Sequence, residues 1–298
     1  MLGKGWSGKV YLINPHTAVK SVGVSDRFNH KDSHKRLDSS WPGENPWREV
    51  YLYQKGNELI ERRFTQNIML MHSYHHDVSA KKLYICMEAF DSSVKTFLDE
   101  NITTLKSRHV ACILFQILHG LIVLQKCLGF EHGDLKLENV LIKRIPKGGF
   151  WRYDINGEVY YIPNMGFITG LSDFGMSVAK EFPLKGVDRD AYPTSQHALE
   201  TSREAWLVLN DILTHVSTSK SLQKSPFIKL VWDLVSKHLL YRRWPDEGYD
   251  IHSVVSPITS TELMRQLFAG MYANPPDKGK LIDTFTLPQS NRSSWRLW

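Results

Sequence analysis

The sequence predicts an α+β protein of two lobes, a small β-rich one followed by a larger α-helical one, with a cleft between them. Three observations predict it. Short β-type runs with a single helical stretch fill the first ninety residues. One strongly apolar helix pattern follows, over about 107–126. From Glu200 onward the patterns are helical. The lobes are placed at residues 1–90 and 91–298.

Taken in order, Val10-Tyr11-Leu12-Ile13 and Thr17-Ala18-Val19-Lys20 read as two strands around an Asn14-Pro15-His16 turn. Residues 21–46 are polar and end in Pro42-Gly43 and Pro46, so they read as a surface insertion. Its basic residues Arg27, Lys31, Lys35 and Arg36 suit solvent or an acidic partner. A helix is expected over Trp47–Glu61, then strands over Asn67–Ser73 and Leu83–Ala89. In the next helix, Ser107–Lys126, an apolar stripe runs through Val110, Ile113, Leu114, Ile117, Leu118, Leu121 and Leu124. Trp151–Ile162 reads as a hairpin, with Asn156-Gly157 supplying the positive φ values of a type I′ turn. Helices are expected at Ala205–His215, Phe227–Leu240 and Ser260–Met271.

Composition narrows the function classes. Apolar residues make up 42% and charged residues 23%, which excludes a disordered, collagen-like or coiled-coil chain. No run of 18 apolar residues occurs, so no membrane partner is expected. The N-terminus lacks an apolar signal segment. Cys86, Cys112 and Cys127 are odd in number and lack metal-ligand spacing, which reads as a reduced intracellular protein without a zinc site. The net charge of +6 suits anionic ligands such as nucleotides but is too modest to indicate nucleic acid.

The chemistry lies in four short motifs. Gly3, Gly5, Gly8 and Val10 form G-x-G-x-x-G-x-V, whose backbone N–H groups can approach phosphate oxygens. A strand follows it instead of a helix, which argues against a dinucleotide-binding turn. Ten residues after Val10, Lys20 offers a point charge for bridging phosphates. Residues 132–139 read His-Gly-Asp-Leu-Lys-Leu-Glu-Asn: Asp134 can accept a hydroxyl proton, Lys136 can neutralise a transferring phosphoryl group, and Asn139 can bind a metal ion. Asp173-Phe174-Gly175 follows, and Asp173 with Asn139 supplies the oxygen donors that Mg²⁺ prefers.

With these four motifs in this order, the chain resembles the eukaryotic-type protein kinases from Leu2 to about Met271. The resemblance implies ATP and Mg²⁺ as cofactors and protein Ser/Thr hydroxyls as acceptors, Lys136 being the mark of Ser/Thr specificity. It implies that Gly3, Gly5 and Gly8 cover the phosphates, with Trp6 and Ser7 at the loop tip, and that Lys20 holds the α- and β-phosphates. Lys20's partner is expected at Glu49, with Glu58 as the second choice. Met87 is expected at the back of the nucleotide pocket, and the Glu88–Phe90 backbone against adenine. Leu2, Val10, Ala18 and Leu141 would sandwich the ring. Asp134 would be the base, Lys136 the phosphate clamp, and Asn139 and Asp173 the Mg²⁺ ligands.

The departures carry information too. Gly133 stands where the family has Arg, which implies that the segment after Asp173 works without phosphorylation. Ser177, Thr194 and Ser195 are its candidate hydroxyls, with Lys180, Lys185 and Arg189 as cations on the same segment. Ala198-Leu199-Glu200 replaces Ala-Pro-Glu, with Arg265 as the expected partner of Glu200. The acidic residue expected on the next long helix is Glu204 or Asp211. The hairpin between Asp134 and Asp173 resembles the divergent kinases of large DNA viruses. Two rival readings are a pseudokinase acting as a nucleotide-binding scaffold, and a small-molecule phosphotransferase with its H-G-D motif. If the source is viral, the place of action is the host cytoplasm or the virion.

Overall fold

The architecture is described from a computed structural model, for residues 3–5, 8–30, 45–181, 203–244, 248–254, 258–268 and 270–287. β1 (Gly3–Gly5), β2 (Gly8–Asn14) and β3 (Thr17–Gly23) form an antiparallel meander. β4 (Met71–Asp77) and β5 (Lys82–Glu88) complete a five-stranded sheet of order β1-β2-β3-β5-β4. Helix α1 (Pro46–Glu61) packs against it. Pro46 occupies its first turn, and the Asn45 side chain accepts the Trp47 N–H at 3.1 Å, so the start of α1 is capped. The Trp47 indole N–H donates to Phe28 O, and its ring meets Tyr74 and His76 edge-on. That seam fastens α1 to the sheet.

The second lobe is built around α3 (Ser107–Leu128), which is buried along nearly its whole length. By length and composition this helix could cross a membrane, but its apolar surface is covered by the fold. α2 (Val94–Asn101) packs on α4 (Arg203–Val216), and α4, α6 (Pro226–His238) and α7 (Ser260–Phe268) pack against α3, with the short α5 (Lys220–Gln223) between α4 and α6. β6 (Ser92–Ser93), β7 (Val140–Arg144) and β10 (Phe167–Leu171) make a small antiparallel sheet, and the two loops that carry the candidate site residues lie directly before β7 and directly after β10.

Several expectations shift. The strand expected at Asn67–Ser73 lies at Met71–Asp77, because residues 67–70 cross to β10 instead, through Met69 N to Leu171 O and Leu171 N to Asn67 O. The polar run His72–His76 hid the strand. Residues 21–46 are not all surface: Ser21–Gly23 extend β3, and Phe28 is buried beneath Trp47. Residues 31–44, with Lys31, Lys35 and Arg36, lie outside the described residues. The hairpin forms as β8 (Phe150–Ile155) and β9 (Glu158–Pro163), and Asn156 and Gly157 both take positive φ. Its partner was not foreseen: β13 (Leu281–Leu287) pairs parallel with β8, as in Leu281 with Phe150 and Leu287 with Ile155. The pair β11 (Leu239–Trp244) and β12 (Gly248–Val254) was likewise missed, and α6 stops at His238 where β11 begins.

Candidate active site

Strand register places the first charged group. On β3, Lys20 faces the same side as Val10 of β2 and Ile85 of β5, toward α1. One turn into α1 sits Glu49, 1% exposed. Lys20 Nζ donates to Glu49 Oε1 at 2.7 Å and Oε2 at 2.9 Å, and to Asp173 Oδ1 at 2.7 Å. Glu58 is engaged elsewhere, with Lys55 at 2.7 Å. Burial works against the Lys20 charge, yet the Glu49 and Asp173 carboxylates together raise its pKa above the ordinary lysine value. Burial alone would also raise the Asp173 carboxyl, but the Lys20 ammonium holds it below the usual range. Burial dominates at Glu49 and raises it. The triad is therefore a buried cation shared by two acids, the arrangement that keeps a cation poised for an anionic ligand.

The second centre is the loop at 132–139. His132 is buried, donates its backbone N–H to Glu204, and pairs its ring Nε2 with Ser172 O at 2.9 Å. The Gly133 N–H goes to the other Glu204 oxygen at 2.8 Å. Asp211 accepts the Leu137 N–H at 3.1 Å. The open choice thus resolves by position: Glu204 holds the loop directly before Asp134, and Asp211 holds it three residues later. Burial, reinforced by nearby Glu131, raises the Glu204 carboxyl to about 7. Lys136 Nζ reaches both Asp134 oxygens, at 3.0 and 2.7 Å, and both side chains remain accessible. Asn139 Nδ2 donates to Asp134 O at 2.8 Å and to Asp134 Oδ2 at 3.0 Å. That leaves the Asn139 amide oxygen for another partner.

The two centres are joined at Ser172, whose N–H and hydroxyl both go to Asn139 O. The next residue, Asp173, has φ +61°, a strained conformation for a non-glycine. Its N–H is held by the Tyr53 hydroxyl of α1 at 3.0 Å. Phe174 is turned into the core against Tyr53, Phe130 and His132. Asp173 and Asn139 therefore present two hard oxygen donors on adjoining loops. This set fits Mg²⁺, which takes few protein oxygens and completes its shell with phosphate and water. Clusters of three His, Cys, Asp or Glu with metal-binding placement do not occur among the described residues.

The residues expected on the nucleotide side lie on neighbouring strands. Gly3 pairs with Val10 and Gly5 with Gly8, so the glycine motif is a β-hairpin as expected from the strand that follows it. Gly8 is required by packing: a Cβ there would stand 2.5 Å from Ser21 O. Ala18 and Met87 are cross-strand partners and both are buried. Val10 and Leu141 are partly buried. At the lobe junction the Glu88 N–H goes to Leu70 O and the Ala89 N–H to His16 O. The Phe90 N–H has no partner among the described residues, so it is the backbone donor left for a ligand. The Glu88 side chain is not free, since it pairs with Lys143. A surface cavity of about 550 Å³ touches Thr17, Cys86 and Glu88, which alternate with Ala18 and Met87 and so lie on the opposite sheet face.

A protein kinase domain family model matches residues 1–183 of the chain. The chain belongs to the protein kinase family. The kinase is 47% identical over 201 residues to a protein of Invertebrate iridescent virus 6 named "Probable serine/threonine-protein kinase 380R", a match covering 59% of the chain and 35% of the relative. It is 43% identical over 110 residues to "Putative serine/threonine-protein kinase 019R" of Frog virus 3 (isolate Goorha), covering 36% of the chain and 12% of the relative. The resemblance to kinases of large DNA viruses is thus found directly. The chain matches well under two thirds of the length of these relatives. A crystal structure of a kinase domain is similar at TM-score 0.36 and 20% identity, over 60% of this chain and 50% of that one.

Some residues named from the sequence fall elsewhere. Leu2, Trp6, Ser7, Lys185, Arg189, Thr194, Ser195 and the Ala198–Glu200 segment lie outside the described residues. Arg265 binds Glu158 of the hairpin and Glu262 of its own helix, so it is committed there. Ser177 is fully buried and its hydroxyl donates to His132 O at 2.8 Å, which removes it as an accessible phosphorylation site. Sequence reasoning missed Tyr53, Ser172 and Arg48, whose roles arise from contacts that no local motif encodes.

Proposed function

We propose that this kinase transfers the γ-phosphoryl group of ATP to Ser or Thr hydroxyls of proteins with Mg²⁺ as cofactor, and that its two lobes divide at residues 90 and 91. The observation that carries the reading is the Lys20–Glu49–Asp173 cluster: three charges from β3, α1 and the Asp-Phe-Gly segment meet at 2.7 Å contacts. A buried cation between two acids is costly unless a function keeps it.

In this reading Lys20 holds the α- and β-phosphates, and the Phe90 N–H meets adenine between Val10, Ala18 and Leu141. Asn139 and Asp173 would hold Mg²⁺, which supplies charge neutralisation on the phosphates. The acceptor hydroxyl oxygen bonds to the γ-phosphorus as the bond to the β–γ bridging oxygen breaks. The hydroxyl proton passes to the Asp134 carboxylate, and ADP leaves. Lys136, already on Asp134, neutralises charge on the moving phosphoryl group. The three cysteines are free thiols, which supports the reading of an intracellular place of action.

The test is an ATP/Mg²⁺ assay with casein, basic protein and autophosphorylation readouts, run beside Asp134→Asn. Transfer to Ser or Thr that the variant loses supports the proposal. Nucleotide-dependent stabilisation without any transfer would make the chain a scaffold. Transfer to choline or aminoglycosides alone would make it a small-molecule phosphotransferase.

A further inference from the structure

The segment after Asp173 is gripped in a way that Gly133 makes possible. Gly133 has φ +78°, and a Cβ there would stand 2.4 Å from Met176 O. The catalytic loop and the segment therefore pass backbone against backbone where the family's Arg side chain would project. The grip continues on both sides. The Glu131 and Val178 backbones exchange hydrogen bonds at 3.0 and 2.9 Å. Between Met176 and Val178, the Ser177 hydroxyl goes to His132 O at 2.8 Å. The Ser177 carbonyl points the other way, to α1, where Arg48 Nη2 donates to it at 3.1 Å.

Arg48 is 2% exposed, an uncommon place for a guanidinium. Burial lowers its pKa to about 10, so it is still a cation at neutral pH. It directly precedes Glu49 in α1. One helix turn thus carries both the partner of Lys20 and the donor to Ser177.

We propose that Arg48 is a positioning residue for phosphoryl transfer, tying α1 to the Ser177 carbonyl so that the Lys20–Glu49 pair is assembled without a phosphorylated segment. The inference rests on the kinase reading above and goes beyond it by naming what replaces the missing Arg of the catalytic loop. The buried Ser177 hydroxyl and the closed Gly133–Met176 approach leave the start of the segment in place with no phosphate. Arg48 then transmits that placement to Glu49.

The experiment is a double-mutant cycle on phosphatase-treated protein, verified unmodified by mass spectrometry. The variants are Arg48→Met, Glu49→Gln and the pair, each read by kcat, by KM for ATP and by ATP-induced change in Tm. Arg48→Met is expected to copy Glu49→Gln, with KM raised and kcat lowered by tenfold or more. The double variant should be no worse than Glu49→Gln alone, because both changes remove the same ion pair. Independent, additive losses would overturn the proposal. So would an Arg48→Met enzyme within twofold of wild type, or a wild type that needs phosphorylation for activity. If Arg48→Met does not fold, Arg48→Lys keeps a cationic donor at shorter reach. It should show a smaller loss with the same non-additivity toward Glu49→Gln, and additivity there would again overturn the idea. A wild type that binds ATP but transfers nothing defeats the activity reading alone. The cycle is then decided by ATP-induced Tm shifts, where Arg48→Met and Glu49→Gln must still coincide.

Discussion

Replacing Gly133 is the sharpest test of how this active site is held. A family comparison suggests that Gly133→Arg restores a missing residue; the structure predicts that it breaks the loop. At φ +78° a side chain costs roughly 1–2 kcal/mol in backbone strain alone. A Cβ at 2.4 Å from Met176 O also forces the loop or the segment to move. The bonds at risk are Gly133 N–H to Glu204 at 2.8 Å and Ser177 to His132 at 2.8 Å. Losing a bond to the Glu204 carboxylate, which is ionised above about pH 7, costs about 1.5–3 kcal/mol there. Gly133→Ala should therefore destabilise the protein by about 3 kcal/mol, a large share of the roughly 5–15 kcal/mol that holds a domain folded. Because Asp134 is the next residue, a displacement of about 1 Å should lower kcat by about 10²-fold. Gly133→Arg should be at least as damaging. Denaturant unfolding and steady-state transfer measure the two effects. Either variant with stability within about 0.5 kcal/mol of wild type and undiminished kcat would refute the reasoning.

Three further outcomes are expected. Lys20→Met and Asp173→Asn should each lower kcat by roughly 10²-fold or more, since each removes charge stabilisation from the transition state; wild-type turnover in either variant would reject the site assignment. Asn139→Ala should lose most activity at low Mg²⁺, and a Mg²⁺ titration superimposable on wild type would make Asn139 a structural residue. Burial holds the Glu131 carboxyl at about 7, with Arg203 opposing, against an ordinary value of 4.5. A raised folded pKa gives stability that is complete below about 4.5 and lost as pH rises toward 7. Glu131→Gln, neutral throughout, should thus gain on wild type between pH 5 and pH 8. The ceiling is about 3 kcal/mol at about 1.4 kcal/mol per pKa unit, and an unchanged difference between the two pH values counts against it.

The order of the motifs along the chain determined the family, because each motif needs a particular local setting. Glycines need a tight hairpin, Lys20 needs a strand, and Asp134 and Asn139 need the five-residue spacing that lets Asn139 reach back to Asp134. The α1 and α3 patterns and the Asn156-Gly157 turn were legible for the same reason: periodicity and turn chemistry are local properties. What the tertiary structure decided lies between segments far apart in sequence. The choice of Glu49 over Glu58 depended on which face of α1 the Trp47 seam turns toward β3. The choice between Glu204 and Asp211 depended on how α4 lies beneath the 132–139 loop. The parallel β8–β13 pairing left no local signal, since its partner strand lies far along the chain and edge complementarity is not written in either strand alone. Gly133 shows both levels in one residue. Its identity was visible as a missing Arg, but only the Met176 carbonyl beside it shows that a side chain has no room there.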